Sequence, residues 1–240
     1  MQHKIIHLWS GPRNISTAFM YSFAQRNDTK VLDEPLYAHY LKVTDIDHPG
    51  KEEIMKSQER DGNKVLNDIA AFKGNKSVLF CKQMTHHLVD IDLSLLKNAI
   101  NILLIRNPKQ VLHSYAKVIT QPQLSDIGIK QNYDLYHYLK ENNLHCIVLD
   151  SNELLKNPEK LLSTICKDAG IKFQQAMLNW QSGPKKEDGV WAKYWYENVH
   201  RSTGFQPFQE KETNLPEHLE KIFLESKPFY DFLYSHSIKA

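Results

Sequence analysis

Cysteine is scarce in this chain, and what there is does not pair. Cys81, Cys146 and Cys166 are three in 240 residues, with no C-x-x-C spacing and two of them inside apolar runs. They read as reduced packing residues and not as a disulfide framework. Net charge is equally small: 30 Lys and Arg against 28 Asp and Glu leave +2. That balance argues against a general electrostatic footprint for nucleic acid or a membrane surface, so any basic site must be local. No run approaches the roughly 20 apolar residues that span a bilayer. The first residues also lack a charged-then-apolar leader, so a cytoplasmic location is expected. Repeats, low-complexity tracts and linker-like shifts in composition are missing as well. The expectation is a single domain over 1–240, with 181–240 forming a loop and helical cover.

What the chain does have is 41% hydrophobic and 24% charged residues, an ordinary globular composition. Short runs rich in Ile, Val and Leu alternate with longer segments of helical period, the pattern of β-α units around a mostly parallel sheet. Strands are expected at 5–9, 30–32, 77–81, 101–105 and 145–149. Helices are expected at 16–25, 51–71, 108–119, 133–142, 158–169 and 219–236, the last kinked or interrupted at Pro228. Asn107-Pro108 and Asn157-Pro158 each set a capping residue before a first-turn proline, and Gly170 follows the second of these helices as a stop. Residues 181–210 mix Gly, Pro and Lys with Trp191, Tyr194, Trp195 and Tyr196, a long ordered loop with a short helix.

The segment "LWSGPRNISTAF" (8–19) ends a strand, turns at Gly11-Pro12, and enters a helix through Ser16 and Thr17. A strand, a tight turn and a helix start with small hydroxyl residues is a general solution to anion binding. Gly11 lets the backbone approach, Arg13 supplies a fixed charge, and Ser16 and Thr17 can donate. The ATP-type loop G-x-x-x-x-G-K-[ST] is not completed, because neither a second Gly nor a Lys precedes the hydroxyl residue. On these residues alone, a turn capped by Ser16 or Thr17 is an equal alternative.

A second segment, "NILLIRNPKQVLHSYAK" (101–117), is a buried strand, Arg106 at its carboxyl end, and a helix starting at Asn107-Pro108. Ser114 lies about two turns along that helix on the face of Asn107, so Arg106 and Ser114 can meet one anion. Taken singly, Arg106 reads as a surface ion-pair residue and Ser114 as a solvent-facing serine.

Together the two segments resemble the sulfotransferase family that uses 3′-phosphoadenosine 5′-phosphosulfate (PAPS). Its first loop, P-[KR]-x-G-[ST]-[ST], is matched at Pro12, Arg13, Ser16 and Thr17, with Asn14 at the variable place and Ile15 where glycine is common. Its later strand-helix unit is matched at Arg106, Asn107, Pro108 and Ser114, with Gln110 in place of an acidic residue. The likeness extends through "VLDEPLYAHYL" (31–41) and "LDSNELLKNPEKLLSTICKDAGIKF" (149–173). "RSTGF" (201–205) stands for the family's terminal basic-glycine element through Arg201, Ser202 and Gly204.

The resemblance implies a three-layer α/β/α, P-loop type architecture and transfer of a sulfuryl group from PAPS to a hydroxyl or amine of a small-molecule acceptor. The first loop, residues 11–17, and the Arg106–Ser114 unit would hold the nucleotide, together with Arg201, Ser202 and Gly204. Arg13 would stabilise charge on the leaving bisphosphate. The acceptor must lose a proton, and the base candidates are Glu34, after the second strand, and His86 and His87, after the third. A histidine near its ordinary pKa suits proton removal at neutral pH and is slightly preferred; Glu34 would need burial to raise it. Twelve histidines form no H-E-x-x-H or Cys/His cluster, and no metal is expected. Two other readings stay open: a P-loop nucleotide kinase or NTPase, which lacks its loop lysine, and a noncatalytic nucleotide-binding protein on the same fold. Acceptor identity and oligomeric state are not legible.

Overall fold

The computed structural model describes residues 3–115, 122–209 and 214–240. Its centre is a parallel sheet, because the apolar runs are buried on both faces. In chain order the elements begin with β1 (Lys4–Ser10), α1 (Ser16–Ala24), β2 (Thr29–Asp33), α2 (Tyr37–Thr44), α3 (Lys51–Ser57), α4 (Gly62–Ala70) and β3 (Val78–Met84). They continue with β4 (Ile100–Ile105), α5 (Pro108–Tyr115), α6 (Ile129–Glu141), β5 (Cys146–Asp150), α7 (Ser151–Lys156) and α8 (Pro158–Asp168). Short helices α9 (Ala192–Trp195) and α10 (Glu197–His200) precede the long α11 (Glu217–Ser235) and β6 (Ser237–Ile238).

Among the described residues the sheet order is β2-β3-β1-β4-β5-β6, and every pairing is parallel. Period-2 alternation sends Ile5 and Trp9 of β1 into one apolar layer with Leu66, Leu135 and Leu233. It sends Ile6 and Leu8 into the opposite layer with Phe19, Phe23, Leu161 and Ile165. Two cores on one sheet make the three layers expected for such strands. The order places the loops after β1, β2, β3 and β4 along one edge, at the carboxyl ends where open α/β sheets bind ligands.

The expected strands are all present within a few residues, and both proline-led helix starts hold. Asn107 Oδ1 accepts from Lys109 N at 2.9 Å and Asn157 Oδ1 from Lys160 N at 3.1 Å. The end of the expected 108–119 helix lies outside the described residues beyond 115. The expected 51–71 helix is two helices. Gln58 is extended, and Asp61 caps α4 by accepting from Lys64 N at 3.1 Å. The break frees Gln58 to accept from the Ala38 amide and to donate to the Glu34 carbonyl, each at 3.0 Å. Helix α11 runs through Pro228 without interruption. Helix α2 and strand β6 were not expected; β6 pairs with Val148 and Leu149 of β5.

Candidate functional site

A cavity of about 630 Å³ opens at the carboxyl edge of the sheet. One end is the loop between β1 and α1. Residues 12–18 line it, together with Arg106 and Ser114. The other end carries Glu34, Lys82, His86, His87 and Tyr196, with Tyr37, His48 and Trp195 on its wall.

At the loop end the backbone makes the shape. Arg13 and Ile15 have φ of 62° and 58°, in the left-handed region, and Ile15 is followed directly by helical Ser16. Left-handed followed by right-handed backbone turns successive N–H groups toward one concave side, the geometry of an anion nest. Ile15 therefore adopts a conformation that glycine would adopt without strain, at a cost of about 1–2 kcal/mol for a side chain. Packing offsets that strain, since its side chain lies against the layer containing Phe19. Among the described residues no side chain caps α1, which removes the capped-turn alternative.

Arg13 Nε donates to Ser114 Oγ at 3.0 Å. Arg106 donates through one guanidinium nitrogen to the Arg13 carbonyl at 2.7 Å and through Nε to Gln110 Oε1 at 3.0 Å. The two anchors expected from separate segments are therefore one hydrogen-bonded unit. Ser114 is held by Arg13, and Gln110 steers Arg106 as an acidic residue would. Asn14 Nδ2 ties the loop to the Leu104 carbonyl at 3.2 Å.

Gly11 serves packing and not ligand approach, in contrast to the sequence expectation. A Cβ there would stand 2.1 Å from the Ile127 carbonyl oxygen, and Gly11 is not among the residues lining the cavity. Arg201 is also not brought to the cavity: its side chain is 74% exposed and pairs with Glu197 at 2.5 Å. Ser202 and Gly204 do line it. Ser202 Oγ accepts from Trp180 Nε1 at 3.1 Å, and a Cβ at Gly204 would meet the Leu178 carbonyl oxygen at 2.9 Å.

The acidic end is built across neighbouring strands. In the β2-β3 register Asp33 lies beside Lys82, and the Lys82 side chain is only 2% exposed. Its Nζ donates to Asp33 Oδ1 at 2.9 Å, Glu34 Oε1 at 2.5 Å and the Tyr196 hydroxyl at 2.7 Å. Tyr196 in turn donates to Asp33, at 2.7 Å from Oδ2, and the Gly189 amide reaches the same oxygen at 3.1 Å. Burial pushes the Glu34 carboxyl above the usual carboxylate range, Lys82 pulls it back, and Asp33 pushes it up again. Sequence reasoning missed Lys82, Asp33 and Tyr196 as site residues. The available signal was a lone lysine inside the apolar run "VLFCKQM", since a lysine in a fully buried strand needs a carboxylate.

His87 lies between the rings of Tyr37 and Tyr40, with centroids 4.8 and 4.7 Å away, and His86 meets it edge-on at 4.6 Å. Among the described residues, Nδ1 of each is buried without a hydrogen-bond partner. Burial, and for His86 the nearby His48, lowers the His86 pKa to about 3. Burial and the surrounding histidines and Lys82 hold His87 well below its ordinary value. The cover over this end is fastened to α1: the Tyr21 hydroxyl donates to Asp188 at 2.7 Å, and His200 Nε2 contacts Asp188 at 2.9 Å.

A parallel α/β/α fold with a nest-forming loop after β1 and an arginine after β4 defines a P-loop-like architecture. The chain belongs to the sulfotransferase domain family, whose model matches residues 3–237. This membership supports sulfotransferase activity in general terms. Two Arabidopsis thaliana proteins, named branched-chain-amino-acid aminotransferase-like proteins 2 and 1, are each 39% identical over 234 residues. The match covers 97% of this chain but 42% of each relative, so the chain spans less than half the length of these relatives.

Among solved structures, the sulfotransferase domain of the Synechococcus PCC 7002 olefin synthase superposes with a TM-score of 0.65 at 20% identity, covering 96% of this chain and 95% of that one. The sulfotransferase domain from the curacin biosynthetic pathway gives 0.58 at 14%, covering 95% and 98%. A sulfotransferase from Alicyclobacillus acidocaldarius gives 0.51 at 12%, covering 99% and 98%. These likenesses show the fold.

Proposed function

We propose that this chain transfers a sulfuryl group from PAPS to a hydroxyl or amine of a small-molecule acceptor. The observation that carries the reading is the single unit made by the nest-forming loop, Arg13, Ser114 and Arg106 at one end of a cavity whose other end presents a carboxylate. The loop end fits a phosphate or phosphosulfate: its helix-start amides have no side-chain cap, and two arginines meet there.

The chemistry needs in-line positioning and charge stabilisation. The donor S–O bond breaks, a new bond forms between sulfur and the acceptor atom, and the acceptor's proton passes to a base. Arg13 and the first amides of α1 stabilise negative charge gathering on the departing bisphosphate. Arg106 holds the loop through the Arg13 carbonyl and adds its own charge toward the nucleotide. Glu34 takes the proton. This choice reverses the slight preference for histidine. The Nδ1 atoms of His86 and His87 have no partner to orient the ring or stabilise an imidazolium, and burial makes both rings weak bases. A carboxylate raised by burial is the stronger proton acceptor. His86, His87 and Tyr37 then form the acceptor wall.

A thermal-shift comparison tests the reading. Adenosine 3′,5′-bisphosphate is expected to raise the Tm without Mg²⁺, while ATP with Mg²⁺ does little, since a ligand stabilises by binding the native state. The reverse ranking would support the kinase or NTPase alternative. Stabilisation by the bisphosphate with no sulfate transfer across a panel of alcohols, phenols and amines would support the noncatalytic one.

A further inference from the structure

We infer that Lys82 is a positioning residue for Glu34: seated between two carboxylates, its ammonium aims the Glu34 carboxylate at the cavity and keeps it ionised so that it can receive a proton. The inference deepens the proposed function and rests on it for the part Glu34 plays in turnover.

The geometry separates the two acids. Asp33 has other donors, the Tyr196 hydroxyl and the Gly189 amide, and it does not line the cavity. Glu34 lines the cavity; its carboxylate accepts from Lys82 at 2.5 Å, with the Tyr196 hydroxyl as a weaker second donor. Lys82 is itself immobilised by its three acceptors, so it fixes the position of Glu34 Oε1. The backbone of Glu34 is pinned as well. Its φ is 40°, its amide donates to the Lys82 carbonyl at 2.8 Å, and its carbonyl accepts from Gln58 at 3.0 Å.

One ammonium against two carboxylates leaves the group short of positive charge. Asp33 shares Lys82 but has donors of its own in Tyr196 and Gly189, so Glu34 is the member that leans most on Lys82. The remaining titratable groups facing Glu34 are Tyr196, from the turn after α9, and Tyr37 of α2, both held neutral by burial. The lysine thus opposes the upward push of burial and of Asp33. The result is a carboxylate whose proton affinity is raised by burial and held in check by the ammonium.

The test reads Glu34 without nucleotide or acceptor. Protein labelled with ¹³C at the glutamate side-chain carboxyls is titrated by NMR, and the Glu34 resonance is assigned by its loss in Glu34→Gln. In Lys82→Met the Glu34 midpoint is expected to rise by about one pH unit or more. Lys82→Arg, which restores the charge, is expected to bring it back toward the parent value. An unchanged or lower midpoint in Lys82→Met overturns the inference. If Lys82→Met does not fold, the double variant Lys82→Met, Asp33→Asn removes one buried charge of each sign and is read against Asp33→Asn alone, so that the difference is again the loss of Lys82. Absence of adenosine 3′,5′-bisphosphate binding would sink the proposed function while leaving this titration readable.

Discussion

The two ends of the cavity hold charge in opposite ways. The loop end gathers two arginines and the N–H dipoles of a helix start, and it is stitched from Arg13, Ser114 and Arg106. The acidic end sets Lys82 against Asp33 and Glu34, with all three side chains nearly buried. A cationic end suits an anion that must be held before, during and after transfer. The acidic end suits an event, the passage of one proton. On the proposed function, the difference teaches that the end assigned to the donor is built from fixed cations and the end assigned to the acceptor from a carboxylate set by its partners.

The sharpest way to break the contrast is Lys82→Met. Removing the cation leaves two buried carboxylates facing each other, and stability is expected to fall by about 3–5 kcal/mol, read from urea unfolding. At the other end, Arg13→Ala should cost function and spare the fold. Turnover is expected to drop by about 10²–10³, equivalent to about 2.7–4 kcal/mol, with a much smaller loss of bisphosphate affinity. An equal loss in kcat and affinity would assign Arg13 to binding alone.

A pH profile sharpens the comparison further. A base works only when ionised, and burial raises Glu34, so kcat/KM is expected to climb with pH through a limb lying above the usual carboxylate range. Below that limb the rate falls about tenfold per pH unit, and Glu34→Gln abolishes the limb. The arginines contribute no such limb.

The smallest effects separate the two tight positions of the loop. Gly11→Ala drives a Cβ to 2.1 Å from the Ile127 carbonyl oxygen, and a loss of about 1–3 kcal/mol is expected. Ile15→Gly relieves a left-handed β-branched residue while losing packing and chain stiffness, so stability should stay within about 1 kcal/mol of the parent. Thermal unfolding of the two variants side by side checks the ranking.

Much of the loop end was legible because its parts are local. A strand, a break, a basic residue and a hydroxyl-rich helix start lie within "LWSGPRNISTAF", and Asn107-Pro108 marks its own helix. Even here the local pattern left two residues unexplained. Ile15 stands where glycine is common, and it takes the left-handed conformation with its side chain packed. Gly11 looked like a ligand-facing glycine, yet it answers to a carbonyl from residue 127. Arg201 fitted a family pattern, but its short helix turns it to solvent and to Glu197.

The acidic end was barely legible, because its members are far apart in the chain. Glu34 and the two histidines could be named as candidates, but nothing near them in sequence says which is oriented and which is orphaned. By itself the sequence determined the β-α alternation, the strands buried on both faces, and the two segments that meet at the loop end, since each depends on neighbouring residues and hydrophobic period. The tertiary structure alone decided that β2 and β3 lie side by side with Asp33 against Lys82, and that Tyr196 closes over them. The physical reason is that a buried lysine constrains its partners only to be near. Which carboxylates come near is set by strand order and register, which no local pattern encodes.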